Sequence, residues 1–299
     1  MKRRSFILLA AAATAAVPLA GCGVSRNPMA PSASPNASGG SGTGTIVVGS
    51  ANFTESMVIA ELYAQAMAAK GVESSTKHGI GSREVYLRAL RDGSIQAVPE
   101  YGGNLLQYLD PDNPAAKPED IQKALAAAVG PDLAVLNAAQ AANQDVYCVT
   151  RTYSNQHQLT SLAGLSAVAA NDILGGPAEL ADRPYGPPGL EAIYRAKFKE
   201  FRTYDSLAVK VKDLTDNTIQ VASFFTTDAA IGDNDLVMLS DPEMMILPQQ
   251  VVPLVRAEVK NNTEAVAAID AVQAVLTTAD LTAMNKAVDV DRLSPAQAA

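Results

Sequence analysis

From Thr45 onward the chain repeats one unit: a short apolar run rich in β-branched residues, a polar or glycine-rich loop, then apolar residues at helical spacing. Such a chain folds as α/β layers with largely parallel strands, because short apolar runs must be covered on both faces by the helices that alternate with them. Residues 45–49 (Thr-Ile-Val-Val-Gly) are the first run. Asn52-Phe53-Thr54-Glu55 opens the following helix with the spacing of a capping box, and Ile59, Leu62, Tyr63, Ala66 and Met67 carry it to Gly71. A second unit follows: an edge-like strand over 73–77, the turn Gly79-Ile80-Gly81-Ser82, and a helix through Val85, Leu87, Ala89 and Leu90 to Asp92-Gly93. The third strand, 95–99, runs into Glu100-Tyr101-Gly102-Gly103-Asn104. Beyond it the pattern predicts a helix over 118–129, strands over 133–136 and 146–150, a helix-like segment from Ser161, a strand within 168–174 and a helix over 189–199. Residues 207–211 and 220–224 are further apolar runs, 246–255 reads as a strand pair broken by Pro248 and Pro253, and helices over 263–276 and 278–288 finish the chain.

Ahead of this body stand a basic Met1-Lys2-Arg3-Arg4, an apolar run over 6–16, and Leu19-Ala20-Gly21-Cys22. That order is a secretory signal ending in the lipobox pattern of bacterial lipoproteins, and the run falls short of the roughly 20 apolar residues that a membrane-spanning helix needs. Residues 1–22 are therefore expected to direct export and to leave lipid on Cys22, placing the mature protein on the outer face of the cytoplasmic membrane. Arg3-Arg4-Ser5-Phe6 also resembles a twin-arginine signal, so the export route stays open. Residues 23–44 are mostly Gly, Ser, Pro, Ala and Asn, too poor in apolar area to order themselves. They read as a flexible tether with its ends about 25 Å apart.

The formal net charge of −8 becomes three units more negative once Lys2, Arg3 and Arg4 leave with the signal, which disfavours nucleic-acid binding. Cys148 has no partner for a disulfide once Cys22 is lipidated, and it reads as a small buried hydrophobe. His78 and His157 are the only histidines, their flanks lack metal-ligand spacing, and no Gly-x-Ser-x-Gly elbow offers a nucleophile. They read as a strand-end residue and a solvated-turn residue. No cofactor, metal or enzymatic reaction is expected. What recurs instead is a polar loop at the carboxyl end of a strand: 50–54, 79–82 and 101–104. In open α/β sheets such loops line the ligand crevice, although Gly81, Gly102 and Gly103 could equally only make turns and Asn52 only cap a helix.

Five segments in order resemble the substrate-binding proteins of ABC importers for glycine betaine, choline, carnitine and related osmoprotectants. They are VGSANFTESMVIAELYAQAMAAKG, LRDGSIQAVPEYGGN, LGGPAELADRPYGPPGLEAIYRAKFKEF, FFTTDAAIGDNDLVMLSDPE and LPQQVVPLVR, spanning about Thr45 to the C-terminus. The resemblance implies a two-lobed α/β fold of the periplasmic binding protein type II kind, with a ligand cleft between lobes. It places lobe 1 at 45–146 and 230–299 and lobe 2 at 147–229, with crossings near 145–149 and 227–233. It further implies a monomer that captures a small solute by hinge closure and hands it to a membrane permease. Relatives that bind quaternary ammonium groups enclose them in aromatic faces, since such a cation has no N–H to donate. Tyr101 matches one of those positions; the family's other tyrosines fall at Asp145, Pro187 and Val211, with Tyr147, Tyr185 and Phe225 near enough to substitute. With the loop residues, the expected ligand set is Asn52, Phe53, Gly81, Ser82, Tyr101, Asn104, Asp145, Tyr147, Tyr185, Pro187, Phe225 and Thr226. A remodelled pocket for another small polar or phenolic solute, or a structural or signalling lipoprotein, are the alternative readings.

Overall fold

The structure, a computed structural model, describes residues 44–299. The expected signal, the lipobox at Cys22 and the tether up to residue 43 lie outside the described residues. Strands β1 (Ile46–Gly49), β2 (Ser74–Lys77), β3 (Ala97–Tyr101) and β4 (Leu133–Val135) come first. They are followed by β5 (Asp145–Thr150), β6 (Ile173–Gly176), β7 (Glu200–Thr203), β8 (Val221–Phe225), β9 (Leu236–Met238) and β10 (Val251–Arg256). They build two five-stranded sheets, ordered β2-β1-β3-β10-β4 and β7-β6-β8-β5-β9. In the first, β1 pairs in parallel with β2 and β3, while β10 runs antiparallel between β3 and β4. The second repeats this plan, with β6 parallel to β7 and β8 and with β5 antiparallel between β8 and β9.

The main helices are α1 (Thr54–Ala69), α2 (Arg83–Arg91), α3 (Gly102–Leu109), α4 (Pro118–Ala128) and α5 (Arg151–His157). After them come α6 (Pro187–Tyr194), α7 (Leu207–Thr215), α8 (Ala229–Asp233), α9 (Thr263–Val275) and α10 (Thr278–Asp289). Both faces of each sheet are covered, which is why the inner strands read as largely apolar runs, while the edge strands β2 (SSTK) and β7 (EFRT) do not. On the first sheet Ile59, Tyr63, Met67 and Ile269 of α1 and α9 pack over one face. Leu87, Leu90, Leu105, Leu106 and Leu125 of α2, α3 and α4 pack over the other. On the second sheet Leu162, Leu165, Leu190 and Tyr194 cover one face, and Leu214 and Ile231 the other. Each such burial is worth about 1.5–3 kcal/mol, so each lobe carries a core of its own.

Pro253 sits inside β10, between two partner strands, where a missing N–H should break the ladder. Its carbonyl still accepts from Leu136 N at 3.0 Å, and the Leu136 carbonyl it cannot serve accepts from Gln122 Nε2 at 2.8 Å. Toward β3 it faces Pro99. A side chain from α4 thus supplies the donor that proline lacks.

The structure departs from the sequence reading in several places. The expected strand pair over 246–255 is the single strand β10; 246–250 is irregular, with one bridge between Ala142 and Gln250. The apolar run at 207–211 lies in α7, started by Ser206, whose Oγ accepts from Val209 N. The expected helix over 189–199 is α6, which starts earlier on Pro187 and ends at Arg195 with φ of 57°. His157 closes α5, a helix too polar to show periodicity, capped by the Thr150 hydroxyl. Strands β7 and β9 were not anticipated; both are short edge strands. The residues after Tyr101 form a helix, not an open loop. Gly103 is required there, because a Cβ would lie 2.6 Å from Leu247 Cβ and 2.7 Å from the Pro248 carbonyl oxygen. Cys148 is fully buried, and burial pushes its thiol up to about 12, so it packs as an inert hydrophobe.

Candidate ligand-binding cleft

Two stretches of chain meet side by side between the sheets. Gln144 N donates to Thr226 Oγ1 at 3.0 Å, Thr226 N donates to the Gln144 carbonyl at 2.9 Å, and Thr227 N donates to Asn143 Oδ1 at 3.3 Å. Both stretches are tied to Glu55 of α1, which is 2% exposed. Glu55 accepts from Tyr101 Oη at 2.6 Å, Asn143 Nδ2 at 2.8 Å, Thr227 Oγ1 at 2.6 Å and Asn285 Nδ2 at 2.8 Å. The sequence reading gave Glu55 a capping role. In the structure Phe53 is the N-cap, no side chain caps α1, and Glu55 turns inward. The second of these stretches touches lobe 1 without ending lobe 2. After α8, β9 pairs again with β5, and the chain rejoins the first sheet only at β10.

In front of this junction lies a chamber of ≈ 80 Å³. Asn52 and Phe53 reach it from the start of α1, Gly81, Ser82, Arg83 and Tyr86 from the loop before α2 and its first turns, and Tyr101 and Asn104 from the end of β3 and α3. Gly81 has φ of 133°, a conformation that side chains rarely adopt, so only glycine shapes this wall easily. Lobe 2 supplies Asp145, Pro177, Glu179, Arg183, Tyr185 and Phe225. Phe53 links the aromatic residues, with ring centroids 5.3 Å from Phe225 and 6.1 Å from Tyr101. Burial, with Glu55 alongside, holds the Tyr101 phenol far above its ordinary range, so it acts only as a donor to Glu55 and leaves its ring to the chamber.

Charge in the chamber is unevenly compensated. Arg83 donates Nε and Nη2 to Glu100 at 2.8 and 2.9 Å, and Tyr86 Oη donates to the same carboxylate at 2.7 Å. Arg183 donates to Glu84 at 2.7 Å across the cleft. Burial raises the Glu84 carboxyl, but its hydrogen bonds to Arg183 and Ser82 prevail and bring it down to about 2. Asp145 and Glu179, in contrast, form no ion pair among the described residues. Burial pushes the Asp145 carboxyl up, partly offset by a 2.7 Å hydrogen bond from Asn104 Nδ2. The chamber therefore offers aromatic faces and unpaired negative charge.

Residues 44–299 match the family described as the substrate-binding domain of the ABC-type glycine betaine transport system. The chain belongs to this family. It is 26% identical over 228 residues to the glycine betaine-binding protein YehZ of Escherichia coli (strain K12), covering 72% of this chain and 74% of that one. Among solved structures, one described as a glycine betaine/carnitine/choline ABC transporter superposes with a TM-score of 0.68 at 18% identity, over 85% of this chain and 95% of that one. Apo YehZ from Escherichia coli superposes with a TM-score of 0.60 at 25% identity, over 86% and 96%. The fold is the two-lobed α/β fold of type II periplasmic binding proteins. As a family member the protein is an extracytoplasmic solute-binding component that works with a membrane ABC permease, a transport protein and not a catalyst.

Of the residues expected to hold ligand in a member of this family, the structure brings Asn52, Phe53, Gly81, Ser82, Tyr101, Asn104, Asp145, Tyr185 and Phe225 to one chamber. It does not bring Tyr147, Pro187 or Thr226. Tyr147 is 1% exposed in the lobe 2 core, where its hydroxyl donates to the Tyr185 carbonyl at 2.7 Å. Pro187 is the first residue of α6, and Thr226 serves the paired stretches. Lipidation at Cys22 falls outside the described residues. Sequence reasoning missed Arg83, Tyr86, Asn143, Glu179 and Arg183. A partial signal existed for Arg83: a glutamate within the apolar Ala97–Tyr101 strand needs a buried cation, and the preceding helix offers Arg83, Arg88 and Arg91.

Proposed function

We propose that the protein captures a quaternary-ammonium osmoprotectant of the glycine betaine, choline or carnitine type in this chamber and delivers it to its permease by closing the two lobes about the cleft. The observation that carries this reading is the joining of Phe53, Tyr101, Tyr185 and Phe225 around one space with Asp145 at its wall. Aromatic faces attract a cation that has no N–H to donate, each desolvated contact being worth about 2 kcal/mol. The unpaired carboxylate adds charge complementarity. YehZ, described as a glycine betaine-binding protein, supports the same ligand class for this relative. A cation that settles beside Asp145 favours its ionised form, so affinity should rise as pH climbs through the raised pKa of that carboxyl.

Calorimetric titration with choline, glycine betaine and carnitine tests the reading. Tyr101→Ala should weaken the best ligand by at least tenfold, while Tyr101→Phe, which keeps the ring, should stay within a few fold. Full affinity in the alanine variant would place the solute elsewhere, and a phenolic or polyol solute binding more tightly than any of the three would replace the ligand class. The lipobox supports a protein tethered through lipid on Cys22 by residues 23–44. Cys22→Ala should then move the protein from the membrane fraction to the soluble one.

A further inference from the structure

The chain returns from lobe 2 to lobe 1 through residues 246–250, between β9 and β10. Ile246 still belongs to the lobe 2 core, and Leu247 already packs against lobe 1. Gln249, inside this passage, is 0% exposed. A buried glutamine needs partners for both its oxygen and its nitrogen, and this one has them. Oε1 accepts from Asn104 N at 3.0 Å, while Nε2 donates to the Leu247 carbonyl at 2.8 Å and to Asn104 Oδ1 at 2.7 Å. The backbone carbonyl of Gln249 accepts from Asn143 N at 3.0 Å, which ties the return crossing to the outgoing one.

The oxygen and nitrogen of an amide side chain have the same shape, but here backbone groups dictate which is which. Asn104 N can only donate and the Leu247 carbonyl can only accept, so Gln249 has a single orientation. Its Nε2 then fixes Asn104 as well, with Oδ1 toward Gln249 and Nδ2 toward the chamber. That Nδ2 donates to Asp145 Oδ2 at 2.7 Å. Gln249 does not line the chamber, whereas Asn104 and Asp145 both do.

We propose that Gln249 is a positioning residue for the cleft: from the return crossing, without touching a solute, it holds the Asn104 amide so that lobe 1 presents a donor to the Asp145 carboxylate of lobe 2. An Asn104 turned the other way would set an oxygen against that carboxylate. The hydrogen bond favours the ionised form of Asp145 and so keeps the charge that a cationic solute meets. That last step rests on the ligand class proposed above; the positioning itself does not. The other groups around Asp145 are Arg83 of α2, Lys210 of α7, Glu179 in the chamber wall, and the Tyr147 and Tyr185 phenols, which burial holds above their ordinary range and therefore neutral. None of them hydrogen-bonds to Gln249, so its loss reaches Asp145 through Asn104.

The test is a pH titration of the ligand-free protein, followed by carbon NMR of the aspartate carboxyls, with the Asp145 signal assigned by its loss in Asp145→Asn. Gln249→Met should move the Asp145 midpoint upward. The double variant with Asn104→Ala should titrate where Asn104→Ala does alone, because both changes act through one bond. Gln249→Asn keeps the amide but falls one methylene short, and it should shift the midpoint in the same direction if the methionine variant fails to fold. In wild type the Asn104 side-chain amide protons should follow the same titration. Calorimetry with choline supplies the second readout: Gln249→Met should weaken it by about threefold or more below the variant's midpoint, and the gap should close as pH climbs above it. The proposal is overturned if the folded Gln249 variants titrate as wild type does, if the wild-type Asn104 amide protons ignore the titration, or if the loss of choline affinity is the same at every pH. Absence of choline binding in wild type would overturn the ligand class alone and leave the carboxyl titration to decide the role of Gln249.

Discussion

The sheets β2-β1-β3-β10-β4 and β7-β6-β8-β5-β9 follow one plan, three parallel-paired strands and then an antiparallel strand carrying a short edge, but the two lobes treat buried carboxylates differently. In the first lobe, Glu55 accepts four side-chain hydrogen bonds, and Glu100 accepts two from Arg83, one from Tyr86 and one from Tyr101 N. In the second, Asp145 and Asp228 accept one each. A saturated carboxylate fixes the groups around it. An undersupplied one is held at an energetic cost that a counter-charge can relieve. The first lobe is thus a preset frame, and the second holds carboxylates with few donors, Asp145 and Asp228, that share the charge of the Lys210 ammonium.

The largest effect expected from breaking this contrast is at Glu100. Glu100→Gln strands the Arg83 guanidinium without its counter-charge and should cost about 3–5 kcal/mol. At about 2–4 °C per kcal/mol for a body of this size, thermal unfolding followed by circular dichroism should show a drop of roughly 6–20 °C. A melting point within a degree or two of wild type would show that the frame does not depend on this pair.

Asp228 should respond in the opposite direction. Burial raises its carboxyl from the ordinary 3.8 to about 6. Between those values the folded protein keeps a proton that the unfolded chain has released. Its contribution is therefore fully present below about 3.8 and is lost as pH rises through about 6. Asp228→Asn should be more stable than wild type above pH 6 and should lose that advantage below 3.8, as read from denaturant unfolding at both ends. A variant less stable than wild type at neutral pH would mean that the second lobe satisfies this carboxylate after all.

The smallest effect is expected where the lobes touch at the rim. Arg183→Ala removes the contact to Glu84, a pair open to solvent on the glutamate side, and should change stability by about 0–1 kcal/mol. Its effect should instead be on shape, as a larger radius of gyration in small-angle scattering of the ligand-free protein. An unchanged radius would deny the pair any part in holding the lobes together.

The layered α/β plan was legible because β1, β3, β5, β8 and β10 are apolar and lie inside their sheets. Edge strands β7 and β9 were not, since Glu200–Thr203 alternates weakly and Leu236–Met238 is too short to carry a period. Helix α5 was hidden because Arg-Thr-Tyr-Ser-Asn-Gln-His has no apolar stripe and is held by its Thr150 cap. The aromatic chamber was partly legible, through Tyr101 and the three loops that follow strands. Tyr147 misled because it lies two residues beyond Asp145 on the same face of β5, far enough along the strand to pack into the lobe 2 core and not reach the chamber. A larger cavity of ≈ 300 Å³ beside it was invisible. Asn285, Asp289, Lys210 and Asp228 come from distant parts of the chain and meet only after both lobes have folded.

The pairing of residues 143–144 with 226–227 has a consequence for how binding could be reported. Two chains laid against each other and anchored on a single carboxylate resist shear but can twist together. The chain itself passes between the lobes before β5 and again between β9 and β10, so turning about an axis close to Glu55 is the movement that this pairing favours. Displacement then grows in proportion to distance from that axis. Angstrom-scale adjustments around a bound solute become several-fold larger travel at the outer rim near Tyr108 and Arg183, and a membrane partner gripping that rim would sense occupancy without touching the solute.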